Sequence, residues 1–273
     1  MKNPILIIPF FFFTFNLLAQ NNEKVLGSVK YQLFHQRDTL SPEYYQEYMG
    51  LVFNSHSTVY FSLNKATRDS VMKAQFEEQM KRSPDNLKID IRSAPGFTPG
   101  AYYSFYQDDK AIMERPFMQV TYVYDEPLPK INWVLADDTK NIGTYNCKKA
   151  IGSFAGRQYI AWYCPEIAVN AGPWRLAGLP GLILEANDTT QQVKFIFQSF
   201  STEDFYNRET IALPAKAEKT TKVEFEKMLK AMRDNPEEVL KNAMQGGGTI
   251  KINSITPPAR NLYNNQMELP EKR

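Results

Sequence analysis

The chain predicts an α+β fold: a curved antiparallel β-sheet with two or three helices packed on one side or end. Three observations carry that expectation. Short runs rich in β-branched and aromatic residues recur along the chain, which holds fifteen Tyr and eighteen Phe. Two segments show the three-and-four spacing of amphipathic helices. Between Gly172 and Ile183, conformationally restricted residues crowd beside bulky apolar ones, as a tightly specified turn requires.

Taken in order, the first nineteen residues have Lys2, an apolar run from Ile5 to Phe15 and Ala19 before a polar change at Gln20. That is the pattern of a secretory leader cut after Ala19, and Pro4, Pro9, Thr14 and Asn16 make it a poor membrane span. Residues 1–19 therefore read as a signal peptide and 20–273 as a single β-rich domain with no transmembrane span in the mature chain. The expected location is outside the cytoplasm, by export to the periplasm or the outer membrane. A formal net charge of +2 is too weak to point to nucleic acid as a partner.

Alternation at Val29, Tyr31 and Leu33 marks the first strand, and Ser41-Pro42-Glu43 has the cap-then-proline order of a short helical turn through Tyr48. Strand-like runs come next at Leu51 to Phe53 and Thr58 to Leu63. A helix over Lys65 to Lys81 carries the stripe Met72, Phe76 and Met80. Ser83 to Pro99 reads as a surface excursion with a short strand near Leu87 to Ile91. Further strands are expected at Ala101 to Tyr106, Phe117 to Tyr124, Ile131 to Leu135, Thr144 to Gly152, Arg157 to Cys164, Leu182 to Ala186 and Gln192 to Ser199. Leu179-Pro180-Gly181-Leu182 reads as a type II turn feeding the Leu182 strand. Thr221 and Glu224 have capping-box spacing ahead of Phe225, Met228, Leu229 and Met232. Pro236 can open a last helix that Gly246-Gly247-Gly248 stops.

If Ala155-Gly156 is a two-residue hairpin loop, Cys147 falls opposite Cys164, close enough for a disulfide. A one-residue slip leaves two free buried thiols instead. The same register puts Tyr159 and Tyr163 on the other face, either packed in the sheet or lining a groove. Trp174, Leu179, Pro180, Gly181 and Leu182 are interaction candidates, because aromatic and apolar residues on a rigid turn make good anchors for a partner. The competing reading is that the turn only bends the chain into the core.

No catalytic, cofactor-binding or metal-ligating set emerges. His35 and His56 lack metal-ligand spacing. Ser153 sits one place early for a Gly-x-Ser-x-Gly elbow. Asp108-Asp109 and Asp137-Asp138 are isolated acidic pairs. The chain therefore reads as a binding or assembly module with an envelope protein as partner. The alternative is a carrier of a small apolar or amphipathic molecule in the concave face of the sheet, and an exported hydrolase comes third.

The motifs Ile131-Asn132-Trp133, Tyr145-Asn146-Cys147-Lys148-Lys149-Ala150, Gly156-Arg157-Gln158-Tyr159, Ala161-Trp162-Tyr163, Gly172-Pro173-Trp174 and Gly178 to Ile183 occur in that order. With the closing Tyr263 to Leu269, they make the chain resemble the GLPGLI family, exported proteins of Bacteroidetes without an established activity. The resemblance implies export and a place at the envelope. It implies no reaction.

Overall fold

The computed structural model describes residues 23–82, 97–203, 209–235, 238 and 264–269. The leader, the Leu87 to Ile91 strand and the helix expected after Pro236, with its Gly246 to Gly248 stop, lie outside the described residues. The first strands are β1 (Gly27–His35), β2 (Tyr45–Phe53), β3 (Ser57–Ser62), β4 (Ala101–Phe105), β5 (Lys110–Phe117) and β6 (Val120–Pro127). Then come β7 (Val134–Ile142), β8 (Tyr145–Phe154), β9 (Arg157–Cys164), β10 (Leu182–Asp188), β11 (Val193–Ser201) and β12 (Glu218–Lys219). Helix α1 (Asn64–Arg82) comes after β3, and α2 (Lys222–Asp234) after β12.

All twelve strands form one sheet in the order β12-β6-β5-β4-β3-β2-β1-β11-β10-β9-β8-β7. The first six strands step outward from β1, the chain crosses to the opposite edge at β7, and five strands wind back until β11 pairs with β1. Every pairing is antiparallel except β12 with β6. The crossing fixes the shape. β6 and β7 lie ten places apart, about 48 Å across a flat sheet. The link from Pro127 to Val134 can span only about 25 Å. The sheet must therefore curl until its outer strands face each other, and it does so without closing.

This architecture overturns the α+β expectation. Among the described residues the fold is largely β, a mixed twelve-stranded sheet with two helices, α1 and α2, that do not form a layer. The physical reason is that loops and the curl of the sheet itself cover its inner face. The large buried cluster there joins Val29, Tyr31, Leu51, Leu184 and Phe195 to the crossing and the Gly172 to Ile183 segment. A smaller cluster on the outer face is covered by Ile211 and Leu213. Helix α2 begins with the expected capping box between Thr221 and Glu224 and seats buried Phe225 against Phe117, Tyr122 and Tyr124. Among the described residues no helix is long and apolar enough to cross a membrane.

Local expectations also change. The segment from Tyr45 onward is strand, because its residues pair with β1 along the full length of β2. Strand β5 was not legible, and the Phe117 to Tyr124 run is broken by a turn at Met118, where φ is +56°. Leu179 to Leu182 is tighter than a type II turn. Gly181 N–H donates to the carbonyl of Leu179 at 2.8 Å, an i to i+2 bond around Pro180, while Leu182 N–H is taken by Ile167.

The hairpin at Ala155 and Gly156, both at positive φ, sets the anticipated register from Phe154 opposite Arg157 to Lys148 opposite Tyr163. The disulfide does not result from it. Cys147 and Cys164 are buried free thiols. The β8–β9 ladder stops one pair short of them, where Cys147 lies opposite Lys140 of β7 and Cys164 opposite Leu182 of β10. Burial, and then the neighbouring Cys164, push the Cys147 thiol up to about 12. Its contribution to stability is complete below the ordinary thiol value of 9.0 and is lost as pH rises towards 12. Denatured protein is expected to titrate two thiols without reductant, with neither accessible while it is folded at neutral pH. A single thiol, or none, before reduction would contradict the structure.

Candidate functional site

The inner crossing and the motif loop build one surface together. Gly152 in β8 has no side chain, and a Cβ there would meet Trp133 at 2.7 Å and Ile131 at 2.8 Å. The crossing therefore lies flat on the sheet, and Trp133 Nε1 donates to the carbonyl of Ala177 at 2.8 Å. The motif loop is held from within by Leu176 N–H to Pro173, Leu182 N–H to Ile167 and Ile183 N–H to Ala171. Asn170 Oδ1 accepts from Gly178 N–H at 2.7 Å. Trp174 takes a φ of +56°, a strained conformation for a bulky residue. Its ring is packed among Phe154, Tyr159 and Phe195.

These contacts place the interaction candidates. Leu179, Leu182, Tyr159, Tyr163 and Gly181 are buried, Trp174 is half-buried, and Pro180 is exposed. Leu179 is 1% exposed, so no apolar patch forms around it and Trp174.

The loop instead roofs a cleft of ≈ 290 Å³. Trp174, Arg175 and Ala177 line it together with Thr58, Ser104 and Tyr106 from the ends of β3 and β4. Asp109 and Lys130, ion-paired at 2.9 Å, stand at its border. Four stretches distant in sequence thus meet at one small polar and aromatic site.

Arg175 is the most constrained charge beside it. Its side chain is 8% exposed and lies against the rings of Tyr102 and Phe154. Nη2 meets buried Glu126 at 3.2 Å, and Nη1 meets Glu268 at 2.5 Å. Lys222 from α2 contacts the other oxygen of Glu126 at 2.9 Å. Tyr102 is shifted upward, chiefly by burial and against the opposing effect of Arg175. Neither the Tyr102 hydroxyl nor Arg175 Nε makes a hydrogen bond of good geometry.

A second buried pair anchors the segment that delivers Glu268. Arg157 and Asp188 meet at 2.7 Å with both side chains 2% exposed. Arg157 also donates to the Asn265 side chain and to the carbonyls of Gln266 and Met267. Asp188 accepts from Thr190 and from Val193 N–H. Asn265 ties back to Gln36 and Arg37, and Leu269 to Ala155. Residues 264–269 form a strap across the ends of β1, β9 and β11.

His35 is buried under this strap, and burial, then Arg37, lower it to about 4. The unfolded chain takes up a proton near 6.5 while the folded chain stays neutral. Stability is therefore full above 6.5 and falls as pH drops towards 4. The expected loss is up to about 3 kcal/mol. Denaturation midpoints at pH 7.5 and 4.5 should show it, and His35→Gln should flatten the difference. An equal slope in the variant would contradict this account.

Three comparisons bear on this arrangement. A family model described as a protein of unknown function, Porph_ging, matches residues 155–185. That span runs from the β8–β9 turn through the motif loop into β10. Comparison with curated proteins finds no match. Among solved structures, PNGF-II in its C2 space group is similar at 16% identity with a TM-score of 0.50. The P21 form gives 15% identity and 0.50. Both matches cover 77% of this chain and about a third of PNGF-II. Similarity at this level speaks to fold alone.

Sequence reasoning singled out the motif loop but missed Arg157, Arg175, Glu126, Asp188 and Glu268. A signal existed for two of them: Arg157 and Asp188 extend the apolar alternations Tyr159-Ala161-Tyr163 and Leu184-Ala186, where an unpaired charge is costly. Among the described residues no group of three metal-ligating side chains converges.

Proposed function

We propose that this chain is an exported, non-catalytic binding protein of the periplasm or outer membrane, and that the cleft under the motif loop is its recognition site. The observation that carries the reading is the convergence of a strained, heavily hydrogen-bonded loop with the β3 and β4 ends on one small cleft. A backbone held this firmly preorganises the surface for a ligand. The apolar leader, residues 1–19, supports export. The family match over residues 155–185 includes Gly178 to Ile183, in keeping with the GLPGLI resemblance. The charged groups around the cleft are engaged with one another, which favours recognition over proton transfer. Burial of Leu179 and Leu182 moves the proposed contact from the turn to the cleft. A carrier pocket elsewhere on the inner face has little support, because Tyr31, Leu184 and Phe195 fill it.

The test is native purification from the envelope fraction, comparing wild type with Ala177→Trp, which fills the cleft mouth. A molecule or protein partner that accompanies wild type and is lost from the folded variant supports this site. Identical material on both chains overturns it.

A further inference from the structure

With the cleft as the recognition site, on which this step rests, the one buried charge that lines it, Arg175, defines a ligand class. We infer that Arg175 anchors a carboxylate subsite whose resting occupant is the chain's own Glu268.

The charge balance points there first. Arg175 and Lys222 share Glu126, which is 6% exposed, so Glu268 supplies the negative charge that brings the group of four to neutrality. If Glu268 leaves, one positive charge is left uncompensated on a guanidinium that is 8% exposed. Burial makes that costly, and an incoming anion relieves it.

Glu268 is also the exchangeable member. Its side chain is 47% exposed, against 6% for Glu126. The strap that carries it is secured at Asn265, Gln266 and Met267 by Arg157. The Glu268 carboxylate can therefore swing away without releasing the strap.

Unmet hydrogen bonding supplies the independent observation. Arg175 Nε and the Tyr102 hydroxyl are buried donors without a well-formed bond, although buried donors are nearly always satisfied. The Tyr102 oxygen faces the Arg175 guanidinium, and its hydroxyl proton needs an acceptor oxygen. A carboxylate brings two, together with the charge, and a guanidinium suits it better than an ammonium does. A cleft of ≈ 290 Å³ limits the ligand to about the size of an amino acid or dipeptide. Trp174 and Tyr106 give its apolar part a surface.

The experiment is calorimetric titration of the full chain with N-acetylglycine and with its neutral isostere, N-acetylglycinamide. The carboxylate is expected to bind about tenfold more tightly than the amide. Glu268→Gln, which removes the competitor's charge, should strengthen binding of the carboxylate by roughly tenfold and leave the amide unchanged. Removing Arg175 would strand Glu126 and endanger folding. Tyr102→Phe therefore serves as the second variant, expected to weaken the carboxylate severalfold with the fold intact by circular dichroism. Equal binding of the two probes overturns the carboxylate subsite while leaving the cleft reading standing. Failure of both probes on wild type and on Glu268→Gln also overturns it. The cleft reading falls separately, if Ala177→Trp retains the native ligand.

Discussion

Replacing Arg157 by Ala is expected to remove about 3–5 kcal/mol of stability, the usual cost of breaking a buried ion pair from one side. The loss is large because it is compound. Asp188 would remain charged at 2% exposure with only Thr190 and Val193 N–H to satisfy it. Asn265, Gln266 and Met267 would each lose the donor that holds the strap. Arg157→Lys should recover little, since one ammonium on a single stem cannot reach the acceptors that a planar guanidinium spans. Chemical denaturation gives the energy. Hydrogen exchange of residues 264–269 locates it, with protection at Leu269 N–H, bonded to Ala155, collapsing before that of the β8–β9 ladder. A loss below about 1 kcal/mol, or a strap that stays protected, would show that something other than Arg157 holds it.

How far that clamp could be read from the chain shows where sequence reasoning stops. The β8–β9 hairpin was legible to the residue, because a two-residue turn at Ala155-Gly156 fixes every pair by addition, from Phe154 with Arg157 to Lys148 with Tyr163. The β10 strand and the α2 cap were legible for the same reason, each being a local rule. The curl of the sheet was not, since it depends on which strands end up at the two edges. Nor were the clamps. Arg157 lies 31 residues from Asp188 and 108 from Asn265, and no periodicity connects such partners. The fold class failed through weighting: two helical patterns suggest a covering layer, yet a curled sheet buries its inner face without one. The disulfide failed at the last pair: the β8–β9 ladder ends at Lys148 and Tyr163, so no pairing holds Cys147 opposite Cys164.

Gly181→Ala tests the motif loop itself and is expected to cost on the order of 3 kcal/mol or more. Gly181 has a φ of +147°, and a Cβ there would stand 2.3 Å from the carbonyl oxygen of Cys164 and 2.9 Å from Cα of Pro165. Both obstacles are backbone, so neither can rotate aside. The Cys164 carbonyl also accepts from Ile167 N–H, whose own carbonyl takes Leu182 N–H. Moving it therefore opens the first pair of the β9–β10 ladder. Gly178→Ala is the matched control. It too has positive φ, at +99°, but its Cβ would meet nothing nearer than Trp133 Nε1 at 3.6 Å. Conformational strain alone should cost it about 1–2 kcal/mol. Pro180→Ala, at an exposed site, should cost less than about 1 kcal/mol. That order, Gly181 well above Gly178 and Gly178 above Pro180, reflects close approach rather than glycine content. Because the same loop roofs the cleft, Gly181→Ala should also weaken ligand binding under conditions where the protein remains folded. Gly181→Ala costing no more than Gly178→Ala would mean that the loop has room to shift, and the case for a preorganised site would fail with it.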